Sequence, residues 1–181
     1  VKAKDWKYLD TEAFRTRQAL AAYFVSGCAN IFEVGCHKNP IYKFLAGPHE
    51  RVICADPLID NPGVTEKYKR NGRMIAREIT AYIGNAKYRR PESLGGWGLV
   101  VLGYDPRDLD LDFFLGAIEE SEVAVFECWE SYTPWKMLKQ SLPRTGKEIA
   151  VRIRLNLEGN DVGDLSDSWP PRYNRELLVL K

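Results

Sequence analysis

The chain has 181 residues, 45% of them hydrophobic and 28% charged, with a formal net charge of +1. That length predicts one domain spanning 1–181, with residues 1–27 as an N-terminal helical segment packed on it, and the composition excludes a low-complexity chain. No uncharged apolar run approaches the ~18–20 residues of a membrane span, and the start Val1-Lys2-Ala3-Lys4-Asp5-Trp6 lacks an apolar leader core, so a soluble, cytoplasmic protein without membrane contact is expected.

Asp10 is a good N-cap, and apolar positions Phe14, Leu20, Ala21, Phe24 and Val25 predict a first helix that Gly27 stops. Residues 30–35 form a short apolar run ending at glycine, which reads as a strand, and Pro40 then opens a helix over 40–45. Residues 51–56 repeat the strand signal and end on Asp56, after which Pro57 and Pro62 keep the chain out of helix. A basic helix is expected near 63–71, a strand over 73–77 and a short helix before Pro91. Residues 98–103 read as a buried strand, 109–118 as a helix, 122–127 as a strand and 134–142 as a helix. Residues 148–155 alternate at period two, and 175–180 are expected to pair with them. Continuously apolar strands alternating with helices predict an α/β fold with a mostly parallel sheet covered on both faces, ending in an antiparallel hairpin.

Charge is unevenly spread. Residues 66–90 carry a net +6 and residues 105–130 a net −8, which is expected to give two solvated faces pointing in different directions. Cys28, Cys36, Cys54 and Cys128 form no C-x-x-C pair, and His37 and His49 are the only histidines, so no disulfide framework and no resident metal are expected. A site from Cys36, His37, Cys54 and Cys128 would need adjacent strands and lacks motif spacing. G-x-G-x-x-G, G-x-x-x-x-G-K-[ST] and G-x-S-x-G are all absent, which disfavours hydride transfer, P-loop phosphoryl transfer and esterase chemistry.

In an open doubly wound sheet, ligands bind beyond the carboxyl ends of the strands where strand order reverses. The first strand ends in Glu33-Val34-Gly35-Cys36-His37-Lys38-Asn39-Pro40 and the second in Asp56. A glycine after a strand admits a ligand to the backbone, and a carboxylate at the next strand end accepts from two ribose hydroxyls; together they describe a nucleoside site. With Glu33-x-Gly35-x-x-x-Asn39, Asp56, the 98–103 segment and the terminal strands, the chain resembles the class I S-adenosylmethionine (SAM)-dependent methyltransferases over roughly residues 10–181. The resemblance implies a Rossmann-like, doubly wound, mostly parallel seven-stranded sheet with a C-terminal antiparallel hairpin. It also implies SAM as cofactor, with Glu33, Gly35, Cys36, Asp56, Pro57 and Gly103 as binding residues. His37 and Asn39 stand where that family carries its second and third glycines.

Methyl transfer from a sulfonium is an in-line displacement, so the protein mainly aligns donor and acceptor and receives a proton. Tyr104, Glu127 and His37 are the candidate catalytic residues. Asp105, Trp129, Tyr132 and Trp135 are further strand-end candidates, and residues 161–172 a candidate acceptor-side lid. The expected acceptor is a small molecule or a group presented by a partner, and the expected state a monomer or weak homodimer. Two alternatives remain: a structural or regulatory subunit without catalysis, motivated by the lost glycines, and an RNA-directed methyltransferase or RNA-binding module using the basic, tyrosine-interleaved 67–90 segment.

Overall fold

The computed structural model describes residues 12–36, 39–57, 59, 61–102, 110–129, 133–155 and 175–181. Eight strands form one sheet: β1 (Asn30–Val34), β2 (His49–Asp56), β3 (Gly63–Arg70), β4 (Arg73–Ile83), β5 (Trp97–Val101), β6 (Val123–Trp129), β7 (Ile149–Leu155) and β8 (Arg175–Leu180). Their order is β3-β4-β2-β1-β5-β6-β8-β7. β4, β2, β1, β5 and β6 are parallel, whereas β3, β8 and β7 pair antiparallel with β4, β6 and β8. The expected mostly parallel sheet and terminal hairpin are both present.

The central strands are mostly apolar because their middles are covered on both sides. Alternate residues point to opposite faces. On one face Ile31, Val52, Cys54, Val100 and Val125 pack with Ala21 and Ala22 of helix α1 (Glu12–Phe24) and with Val25 just after it. On the other face Phe32, Ile53, Leu99, Val101 and Phe126 pack with helices α2 (Leu111–Glu120) and α3 (Thr133–Ser141). α2 begins at Asp110, whose side chain accepts from the Phe113 N–H at 3.0 Å, the N-cap that satisfies a helix-end donor. α1 lies close on the sheet: a Cβ on Gly98 would come within 2.9 Å of Val25 Cβ.

Four expectations are corrected. The sheet has eight strands, not seven, because residues 63–70 form edge strand β3 where a basic helix was predicted. Asn71 (φ 51°) and Gly72 (φ 77°) both occupy the left-handed region and make a two-residue hairpin between Arg70 and Arg73, a turn the Asn-Gly pair favours. That hairpin carries β4 out to Ile83, beyond the predicted 73–77. The predicted helix over 40–45 is a single 3-10 turn at Ile41–Lys43. The acidic and basic segments are not turned apart, since Lys87 pairs with Asp110 at 2.6 Å and Arg90 with Glu120 at 2.5 Å. Asp10, the expected cap of α1, lies outside the described residues.

Candidate functional site

The carboxyl ends of β1, β2, β5 and β6 lie along one edge of the sheet. The chain leaves β1 toward β2 on one side and β5 toward β6 on the other, so strand order reverses between β1 and β5. This is the crevice that such sheets use for ligands.

At its floor, β1 ends and Gly35 turns the chain with φ 82°, a conformation that favours glycine. The Gly35 N–H donates to Ala55 O at 3.0 Å, and the Asn39 N–H donates to Cys36 O at 3.0 Å. Glu33 Oε2 accepts from the Ile41 N–H at 2.7 Å, so its carboxylate bridges from β1 to the start of the 3-10 turn. Glu33 is wholly buried. Burial pushes its carboxyl up to about 7; the Ile41 N–H and the Cys54 thiol act in the opposite direction, nearby Asp56 raises it again and Arg17 lowers it.

Asp56 ends β2 on the face that carries Cys54, and at 8% exposure it is recessed rather than open to solvent. Pro57 follows it, exposed. Cys36 and Cys54 are buried beside Glu33. A hydrogen bond with Cys54 lowers the Cys36 thiol, but burial and the nearby Glu33 and Asp56 raise it on balance, and burial above all raises Cys54 well above its ordinary value.

Glu127 stands at the carboxyl end of β6, buried, and accepts a hydrogen bond from Arg17 Nη1 at 2.5 Å. Arg17 belongs to α1, as does Gln18, whose Nε2 donates to Asn39 O at 2.8 Å. The two side chains tie α1 to the ends of β6 and of the turn after β1. Sequence reasoning passed over both, although positions 14, 17, 18, 21, 22 and 25 make one helical stripe, and a guanidinium on such a stripe signals a buried anionic partner.

Glu33, Gly35, Cys36, Asp56 and Pro57 therefore meet at the ends of β1 and β2, with Glu127 across the crevice. His37, Gly103, Tyr104, Asp105, Tyr132 and the 161–172 segment lie outside the described residues. Trp135, a residue of α3, packs against Phe126, ring centroids 6.5 Å apart, on the face opposite α1, so it belongs to the core. Cys128 also lies on that opposite face, which separates it from Cys36 and Cys54 and breaks up the four-residue metal combination.

No protein-family model and no curated protein sequence matches the chain. Solved structures do match. The N-methyltransferase NodS from Bradyrhizobium japonicum WM9 superposes with a TM-score of 0.59 at 11% identity, covering 95% of this chain and 97% of that one. A TehB-like SAM-dependent methyltransferase from Corynebacterium glutamicum gives 0.54 at 16% identity, covering 97% and 93%. The magnesium protoporphyrin IX methyltransferase ChlM from Synechocystis PCC 6803, crystallised with bound SAM, gives 0.55 at 9% identity, covering 99% and 85%. Strand order, terminal hairpin and these superpositions agree: the chain has the fold of the SAM-dependent methyltransferases.

Proposed function

We propose that this protein is a SAM-dependent methyltransferase acting on a small molecule or on an acceptor presented by a partner. The observation that carries the reading is Gly35, held at φ 82° where strand order reverses, one strand away from the recessed carboxylate of Asp56. The residues fit the cofactor's chemistry. A left-handed glycine leaves backbone open to the amino-acid end of the ligand, and a carboxylate at the neighbouring strand end accepts from two ribose hydroxyls.

Bound SAM supplies a methyl group already activated by its sulfonium. The chain's own residues have the simpler tasks of holding and excluding. Asp56 fixes the ribose, while Gly35, Cys36 and Pro57 border it, with Gly103 expected on the far side. Glu33 holds the turn itself through the Ile41 N–H instead of facing the ligand. Glu127, oriented by Arg17, is the acceptor-side carboxylate and the candidate proton acceptor, with Tyr104 and His37 as the other candidates.

Calorimetric titration of the full chain with S-adenosylhomocysteine tests this. Micromolar binding at one site per chain is expected. A well-folded protein with millimolar or absent affinity would overturn the enzyme reading and favour a non-catalytic subunit.

A further inference from the structure

β1, the turn that follows it and β2 gather three metal-ligating side chains, one carboxylate and two thiols, into a single buried spot. Glu33 and Cys54 are register partners across the two strands, so carboxylate and thiol stand side by side on the α1 face. Cys36, immediately past the left-handed Gly35, adds a second thiol. One ligand atom from each of the three lies within 4.8 Å of the other two, and all three residues are buried.

A second observation points into the same spot. Glu33 Oε2 has the Ile41 N–H, but Oε1 is fully buried and meets no hydrogen-bond donor of good geometry among the described residues. Buried carboxylate oxygens are ordinarily satisfied, and leaving one unsatisfied costs about 1–3 kcal/mol or more for a charged group. The Cys54 thiol is the side-chain hydrogen-bonding group that bears on the Glu33 carboxyl, and a thiol is a weak donor.

We propose that Glu33, Cys36 and Cys54 form a binding site for one Zn²⁺ ion, or another thiophilic divalent cation, that pins the turn after β1 to β2. Two thiolates and a carboxylate suit zinc, with bonds of about 2.3 Å to sulfur and 2.0–2.2 Å to oxygen. Donors spread over at most 4.8 Å need only a modest contraction to reach tetrahedral spacing. Solvent takes the remaining position. Both thiol protons leave to water on binding, and the Arg17 guanidinium, which acts electrostatically on Glu33, offsets the remaining negative charge. Because the donors are buried, the ion enters as the chain folds. The site concerns how the turn is built; Cys36 also borders the proposed cofactor position, and the metal content is read without cofactor present.

The test is elemental analysis of the full chain purified from zinc-supplemented growth, with absorption spectroscopy of the same protein produced with Co²⁺. One metal per chain and an intense thiolate-to-cobalt charge-transfer band are expected. Cys36→Ser and Cys54→Ser should each lose at least half of that band. Cys28→Ser, a buried cysteine of the same core outside the cluster, should keep it. A folded wild-type protein with no stoichiometric metal and no band overturns the proposal, whatever the variants do. A band that survives in both Cys36→Ser and Cys54→Ser overturns it as well.

Discussion

In the proposed function the carboxylate of Asp56 is the residue that holds the cofactor ribose, and its recessed position sharpens what a substitution there reports. An ionised carboxylate accepts from both ribose hydroxyls, whereas Asp56→Asn offers one acceptor oxygen and an amide donor, so one charge-assisted hydrogen bond goes unmade. That loss is worth about 1.5–3 kcal/mol, a roughly ten- to hundredfold weaker S-adenosylhomocysteine affinity. The near-isosteric amide keeps the volume of a site only 8% exposed and relieves the charge that Asp56 places on Glu33, so the melting temperature should change little. Calorimetry and thermal melting on the one variant separate the roles. Unchanged affinity with a lowered melting temperature would make Asp56 a structural residue of the strand end. Arg17 and Glu127 show a different logic, since a buried ion pair is weak evidence for stability but strongly penalises removal of either partner alone. A loss of activity in a Glu127 variant must therefore be read beside its stability before it is assigned to proton transfer.

Among the elements, α1 is the one whose packing most constrains the site, because it carries Arg17 and Gln18 at its middle and Val25, just past its C-terminal end, presses on the sheet. Gly98 of β5 has no side chain where Val25 stands. Gly98→Ala should cost about 1–3 kcal/mol by overpacking, and that cost should be smaller in a Val25→Gly background, where both the Cβ at 2.9 Å and the Cγ1 at 3.0 Å are gone. Chemical denaturation of the three variants checks the coupling; additive losses would mean that helix and strand adjust independently. The central strands were legible because 31–34, 52–55, 99–102 and 123–126 are apolar at nearly every position, and only a strand covered on both faces reads that way. β3 was not, because Gly63-Val64-Thr65-Glu66-Lys67-Tyr68-Lys69-Arg70 is exposed nearly throughout and has no apolar face to set a period. The Asn71-Gly72 pair carried the missing information. Glu33, Gly35 and Asp56 were legible as neighbours because strand ends on a parallel sheet are brought together by topology alone. The Arg17–Glu127 bridge was not, since it joins residues 110 apart in sequence.

Over the whole molecule, the balance of charge is settled largely inside the chain. Within the basic segment, Arg77 pairs with Glu50 at 3.1 Å, Lys87 with Asp110 and Arg90 with Glu120, while Arg70 donates to the carbonyls of Lys43 and Leu45. Reversing Arg70 or Arg90 would therefore disturb the fold and could not report cleanly on an RNA surface. Of the other described basic side chains in that segment, Arg89 lies over the Tyr82 ring, while Lys67 and Lys69 are exposed on edge strand β3 and Arg73 at the start of β4. An edge of eight residues is a template for strand pairing, and lysines on it are the usual means of preventing that, because two such edges repel on approach. Repulsion of this kind is screened as the Debye length falls from about 30 Å at 0.01 M salt to about 3 Å at 1 M. Attraction between the basic hairpin and the acidic segment of a second molecule is screened equally, and it is already weakened by the internal pairs. The protein should accordingly sediment as a monomer, with at most weak dimerisation that diminishes as salt is raised. Lys67→Glu with Lys69→Glu should abolish that residual association if the hairpin supplies the positive partner. A tight dimer indifferent to salt and to the double reversal would place the interface elsewhere and remove charge as its cause.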